Sequence, residues 1–131
     1  MTKNWKRYTL TAALPYANGG IHLGHLAGAY LPADIYARYR RMMNDDVVFI
    51  CGSDEHGVPI TIRAMKEGVT PQQVVDHFHE EYVRCWQELG ISFDCYTATG
   101  TQNHIEVAQE FFTRLYEQGD IYKSSMELTY C

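Results

Sequence analysis

Ala13-Leu14-Pro15-Tyr16-Ala17-Asn18-Gly19-Gly20-Ile21-His22-Leu23-Gly24-His25 joins an apolar run, Tyr8 to Leu14, to a stretch with helical spacing. Tyr8 to Ala13 is short, apolar and threonine-containing, and is predicted to be a strand. A strand, a glycine loop and a helix N-terminus together favour phosphate, because unpaired backbone N–H groups and the helix dipole both attract anions. His22 and His25 lie three residues apart, so they share a helix face and can reach one ligand. Gly24 between them leaves room for a flat group to approach the backbone. Neither usual glycine fingerprint is present: the segment does not read G-x-G-x-x-G, and no Gly-Lys-Ser/Thr supplies a lysine. Two imidazoles take the lysine's place.

Outward from this segment, strand-like and helix-like runs alternate. Helical spacing continues through Leu23, Leu26, Ala27, Tyr30, Ile35, Tyr36, Tyr39 and Met43. Pro32 interrupts it and predicts a kink or a fresh helix start, since its ring and missing N–H act against the Gly28 carbonyl. Asn44 and Asp45 end the helix. Val47 to Cys51 is a continuous apolar run, which suits a parallel strand covered on both faces. A helix is expected from near Pro59 to before Gly68. The next opens on Thr70, Pro71 and a Gln73 capping box, buries Val74, Phe78, Tyr82, Cys85 and Leu89, and closes at Gly90. Tyr96 to Thr99 is a third candidate strand. A last helix, capped by Thr101 or Asn103, turns Ile105, Ala108, Phe112 and Leu115 inward and ends at Gly119. Ile121 to Lys123 and Glu127 to Tyr130 read as strand-forming. The pattern implies an α/β fold: a parallel sheet with helices on both faces and ligands at the strand carboxyl ends.

A second constellation follows the second strand. Gly52-Ser53-Asp54-Glu55-His56-Gly57 places three ionisable side chains beyond a buried strand, between glycines that permit a sharp turn. In a doubly wound sheet this loop can share an edge with His22 and His25. A carboxylate there can hold an ammonium group, orient an imidazole or bind a metal.

His22-Leu23-Gly24-His25 resembles the HIGH signature of class I aminoacyl-tRNA synthetases. The longer Ala-Leu-Pro-Tyr-Ala-Asn-Gly version, and Ile50-Cys51-Gly52-Ser53-Asp54-Glu55-His56-Gly57, are similar to the methionyl-tRNA synthetase family in particular. The resemblance implies a Rossmann-like, HUP-type sheet, with residues 1–131 forming the first half of a split nucleotide-binding domain. It implies that Ala13, Leu14 and Tyr16 line a methionine pocket and that Asp54 binds the amino group of methionine. It further implies that Asn18, His22, Gly24 and His25 contact ATP, with His22 and His25 as catalytic donors to phosphate. The reaction so implied is ATP-dependent formation of methionyl-adenylate, with Mg2+ accompanying the ATP, and transfer to tRNA(Met). A thioether suits an apolar, polarizable pocket, and a buried ammonium needs a paired carboxylate.

The family's lysine-rich second signature, its zinc-bearing insertion and its helical anticodon-binding domain have no counterpart in these residues. The chain ends on Leu128-Thr129-Tyr130-Cys131, straight after a strand-like run, and reads as cut near the start of the insertion. The fragment alone is therefore expected to be inactive and to self-associate through an unpaired strand edge. Cys131 is a candidate first zinc ligand of a longer protein, but no zinc site is complete among Cys51, Cys85, Cys95 and Cys131.

Composition sets outer bounds. With 131 residues, 46% hydrophobic and 21% charged, the chain suits one globular domain. No apolar run approaches the roughly 18 residues of a membrane span, and no signal-peptide pattern follows the basic N-terminus, so a cytoplasmic protein is expected. A net charge of −5 argues against a broad nucleic-acid surface. Arg38-Tyr39-Arg40-Arg41 reads as a solvated helix end suited to the dipole, with RNA contact as the alternative. His77 and His79 are two apart on a helix and point in different directions, while Trp5 and Trp86 read as packing residues. Three rival functions stay open: another class I synthetase or nucleotidyltransferase, a non-catalytic nucleotide- or tRNA-associating module, and a metal-dependent hydrolase using His22, His25, Asp54 and His56.

Overall fold

The computed structural model describes residues 6–127. Trp5, Leu128 to Tyr130 and Cys131 lie outside the described residues, as do the expectations attached to them. The described elements are β1 (Arg7–Thr11), α1 (Leu23–His25), a π-helical turn (Leu26–Tyr30), α2 (Leu31–Met42), β2 (Asp46–Ser53), α3 (Val58–Glu67), α4 (Pro71–Leu89), β3 (Cys95–Ala98) and α5 (Gln102–Glu117). The chain divides into two compact units, Met1–Gly100 and Thr101–Cys131.

In the first unit the strands form a parallel sheet in the order β1-β2-β3. Thr9 pairs with Val48 and Ile50 with Cys95. Helices flank this sheet, giving the α/β class expected. Phe49, Cys51 and Ser53 alternate along one face of β2 and are buried among Tyr30, Tyr82 and Trp86. Phe49 packs against Phe93 with ring centroids 4.4 Å apart, and Tyr30 against Trp86 at the same separation, both pairs tilted. Val48, one residue out of phase, is 46% exposed, so within this unit the apolar run Val47 to Cys51 has one well-covered face and not the two expected.

Pro32 leaves its mark one turn earlier than the expected kink. The Leu31 N–H bonds to the Leu26 carbonyl, five residues back, which widens the turn into a π-helix before α2 begins. Pro32 then occupies the first turn of α2, where its missing N–H is tolerated. Asn44 ends the run with φ 63°.

The α4 capping box forms as the sequence predicts. Thr70 Oγ1 accepts the Gln73 N–H at 3.2 Å, and Gln73 Oε1 accepts the Thr70 N–H at 2.9 Å. Val74, Phe78, Tyr82 and Trp86 follow successive i+4 steps and are buried. The predicted stripe drifts at its end: Cys85 is half-buried and Leu89 exposed, while Trp86 takes the core position.

The Arg38 to Arg41 run is not a solvated helix end. Arg38 pairs with Asp34 at 2.6 Å and donates to the Gly90 carbonyl. Arg41 reaches Asp94 at 2.7 Å and the Ser92 hydroxyl at 2.6 Å, and Arg40 meets Asp45 and the Tyr8 hydroxyl. The run fastens α2 to β1 and to the segment between α4 and β3.

In the second unit Thr101 caps α5 by accepting the His104 N–H. None of the residues of α5 is buried: Phe112 is 58% and Leu115 43% exposed. Ile121 to Lys123 form no strand.

Candidate active site

The two loops singled out by sequence are stitched together. Beyond the end of β1, Tyr16 forms a parallel bridge with Asp54, just beyond β2. Ala17 N–H donates to the Asp54 carbonyl and Asp54 N–H to the Pro15 carbonyl, each at 2.9 Å. The pairing of β1 with β2 resumes after a short break, so both loops leave the same carboxyl edge of the sheet. The Asp54 side chain takes no part in the bridge. Its Oδ1 lies 3.5 Å from the His56 amide, and the residue is half-buried.

His22 is the N-cap of the helix that starts at Leu23, with extended backbone angles of φ −124° and ψ 168°. Its Nδ1 accepts the N–H groups of Gly24 at 3.1 Å and His25 at 3.4 Å. The Nδ1 of His25 accepts the His22 N–H at 3.3 Å. This is a capping box built from two imidazoles instead of the usual hydroxyl and carboxamide. The rings stack 3.7 Å apart at 21°.

An Nδ1 that accepts a backbone N–H cannot carry a proton in the neutral ring, so each histidine is assigned the Nε2–H tautomer. The cap therefore leaves two Nε2–H donors side by side on an exposed helix start. A Cβ at Gly24 would lie 3.0 Å from His22 Cε1, so a side chain there would press the capping imidazole out of its present position.

Ala13 and Leu14 are exposed on the same segment, Leu14 by 49%. Tyr16 is half-buried, and its hydroxyl is buried without a hydrogen-bond partner. A Cβ at Gly57 would come within 2.6 Å of that hydroxyl, and Gly57 has φ 133°, a conformation L side chains rarely adopt. Asn18 is half-buried, with its backbone carbonyl accepting from Arg63.

Glu55 and His56 turn along this edge toward the end of β3, the strand on the other side of β2 from β1. Glu55 Oε2 accepts the Gly100 N–H at 3.2 Å, the Glu55 N–H donates to Thr99 Oγ1 at 2.9 Å, and His56 Nε2–H donates to the Thr99 carbonyl at 3.2 Å. These contacts remove the basis of the hydrolase alternative. Both Nδ1 atoms of His22 and His25 serve the backbone, and His56 is occupied elsewhere. Among the described residues no three His, Cys, Asp or Glu side chains gather as a metal ion requires.

Several supporting residues escaped the sequence reading. Buried Ser53 hydrogen-bonds His79 Nδ1 at 2.9 Å and the Tyr96 hydroxyl at 3.0 Å, beneath Asp54. The Tyr82 hydroxyl binds the Tyr16 carbonyl at 2.9 Å and the Gly19 carbonyl at 2.5 Å. The periodicity of α4 marks Tyr82 as core, but only the fold reveals what its hydroxyl meets.

Residues 8–131 match the family model described as tRNA synthetases class I (M). The chain is 58% identical over 130 residues to a methionine–tRNA ligase of Bacteroides fragilis, covering 99% of this chain and 19% of that protein. It is 54% identical over 125 residues to the methionine–tRNA ligase of Pyrococcus abyssi, covering 95% and 17% respectively. Among solved structures, a Mycobacterium tuberculosis methionyl-tRNA synthetase in complex with methionyl-adenylate superposes with a TM-score of 0.86 at 34% identity, over 89% of this chain and 23% of that one. An Agrobacterium radiobacter LeuRS–tRNA–LeuAMS complex gives 0.81 at 25% identity, over 90% and 15%. The chain spans about a fifth of the length of the curated relatives it matches. From the loop geometry and the match over residues 8–131 together, the chain belongs to the class I tRNA synthetases, in their methionyl family.

Proposed function

We propose that this chain is the N-terminal half of the nucleotide-binding domain of a longer enzyme that activates methionine with ATP and charges tRNA(Met) in the cytosol. The observation that supports this is the Tyr16–Asp54 bridge, which holds the Asp54 loop against the segment leading from β1 to the His22 cap. The methionyl-adenylate held by the Mycobacterium tuberculosis neighbour supports the ligand assignment. A TM-score of 0.81 to the LeuRS complex indicates that the scaffold serves more than one amino acid, so methionine selection falls to side chains such as Leu14 and Tyr16.

In the proposed reaction Asp54 pairs with the methionine ammonium, while Ala13, Leu14 and Tyr16 line one wall of the side-chain pocket. A methionine carboxylate oxygen attacks the α-phosphorus of ATP; a new O–P bond forms, and the bond to the bridging oxygen breaks as pyrophosphate leaves. His22 and His25 donate hydrogen bonds to phosphate oxygens as the phosphorus becomes five-coordinate, with Asn18 and Gly24 against the nucleotide. No nucleophile of the chain is needed, so the rate gain comes from positioning and from donors fixed before the charge develops. Mg2+ would travel with the ATP phosphates, since the described residues offer it no ligand cluster. Cys51, Cys85 and Cys95 are free thiols, and no zinc-type ligand cluster forms among the described residues. No helix among the described residues is long and apolar enough to cross a membrane.

ATP–pyrophosphate exchange by the longer polypeptide, run amino acid by amino acid, tests the proposal. Exchange dependent on methionine alone is expected, and exchange driven by a different amino acid would assign another class I specificity. The 131-residue chain by itself is expected to exchange far more slowly and to self-associate, because a pocket open on one side cannot exclude water from the Asp54 pair.

A further inference from the structure

We propose that Tyr82 and Arg63 are positioning residues that aim the amides of the Gly19–Gly20 turn at the anionic phosphates of the nucleotide. This rests on adenylate formation at the site above and adds to it residues that touch no substrate.

Three carbonyls of the loop are tied to the helical layer. The Tyr82 hydroxyl, whose residue is 1% exposed, has one proton and shares it between the carbonyls of Tyr16 and Gly19. Burial pushes this phenol up to about 12, so it stays a donor at neutral pH. The Arg63 guanidinium donates to the Asn18 carbonyl. It is fixed on two further sides, by Glu67 at 2.6 Å and by the Phe78 ring, 4.5 Å from its centroid.

No described peptide bond is cis. In a trans peptide the N–H of the following residue points opposite to the carbonyl. Drawing the Asn18 carbonyl toward Arg63 therefore turns the Gly19 N–H away from α3, and drawing the Gly19 carbonyl toward Tyr82 turns the Gly20 N–H away from α4. The Tyr16 carbonyl obeys the same rule in view: the Ala17 N–H that follows it meets the Asp54 carbonyl. Gly19 and Gly20 thus present successive amides just ahead of the His22 cap, and such a run of N–H groups makes an anion-binding concavity. A Cβ at Gly20 would lie 2.8 Å from Glu81 Oε1, the movable end of that side chain, so a side chain there would have to displace the Glu81 carboxylate.

The test uses the longer polypeptide with Tyr82→Phe, Arg63→Lys and Arg63→Met. Tyr82→Phe keeps the buried ring and removes only the hydroxyl. The expected result is a loss in kcat/KM for ATP on the order of tenfold to a hundredfold, the scale of a misplaced reacting geometry. Methionine affinity should fall far less than this, although the Tyr16 carbonyl also loses its bond to the hydroxyl. Arg63→Lys, which still carries a donor, should retain more ATP activity than Arg63→Met. An unchanged ATP kcat/KM in Tyr82→Phe would overturn the proposal. So would a parallel loss of ATP and methionine affinity with a lowered melting temperature, which marks a purely structural role. Wild-type enzyme without methionine-dependent exchange would instead overturn the underlying function, and the proposal with it.

Discussion

His22 and His25 cap each other: His22 Nδ1 accepts the amide of His25 at 3.4 Å, while His25 Nδ1 accepts the amide of His22 at 3.3 Å. In the proposed phosphate site this pairing would give the two imidazoles a fixed orientation in place of a lysine. A lysine brings charge; the capped pair brings two neutral donors in a fixed orientation.

The first prediction separates cap from donor. In nitrogen-15 spectra both rings should appear as Nε2–H tautomers. His22→Ala should lower methionine activation by roughly a hundredfold, about 3 kcal/mol, with methionine affinity unchanged. His22→Asn should lose similar activity but keep the cap, which Asn also makes, and so avoid the destabilisation of about 1 kcal/mol expected for Ala. Methionine affinity falling in step with the rate would place His22 in the amino-acid pocket.

Asp54→Ala should weaken methionine far more than ATP. The fold should survive, because the bridge to Tyr16 uses the Asp54 backbone and not its carboxylate. Separate titrations of the two substrates check this, and equal losses for both would argue against an ammonium partner.

Gly57→Ala should damage the methionine wall from behind. The added methyl would press on the Tyr16 hydroxyl at 2.6 Å and would sit at φ 133°, a strain of about 1–3 kcal/mol. Adding Tyr16→Phe removes the oxygen that the methyl meets but not the backbone strain. The double variant should therefore recover methionine affinity without recovering full thermal stability. Additive losses in affinity would mean that the Tyr16 ring is not what Gly57 accommodates.

Asp34 offers a pH test of the fold. Burial by itself would raise its pKa, but the Ser92 hydroxyl and amide, with Arg38, outweigh this and hold it below the ordinary 3.8. A lowered folded pKa contributes stability that is complete above 3.8 and is lost as pH falls through the folded value. Asp34→Asn should destabilise by about 1–3 kcal/mol near neutrality. Thermal unfolding should show that gap closing in acid, where Asp34 itself becomes neutral; a gap independent of pH would refute the ionic role.

Much of this architecture is legible in the sequence because it is local. The Thr70–Gln73 box, the glycine ends at Gly68 and Gly90 and the start of the helix after His22 all depend on residues a few positions apart. The adjacency of the two loops follows from parallel strands sharing one carboxyl edge. What stays hidden depends on long-range pairing. Arg38, Arg40 and Arg41 look like surface charge until the fold brings Asp34, Asp45 and Asp94 to them. Glu55 and His56 look like site chemistry until Thr99 and Gly100 arrive to receive them. Tyr82 and Arg63 carry no local mark of the loop carbonyls they hold. The exposed apolar side chains of α5 show the opposite limit: their periodicity is correct for a helix, but periodicity does not say which partner covers it.

In the proposed adenylate site the bridged loops hold Asp54 at one end and the histidine pair at the other. A crystal structure of the longer polypeptide with a non-hydrolysable methionyl-adenylate analogue tests it most directly. The methionine ammonium is expected at about 3 Å from the Asp54 carboxylate, and a phosphate oxygen at similar distance from Nε2 of His22 or His25. An analogue bound with its ammonium away from Asp54, or with its phosphate away from both imidazoles, would contradict it.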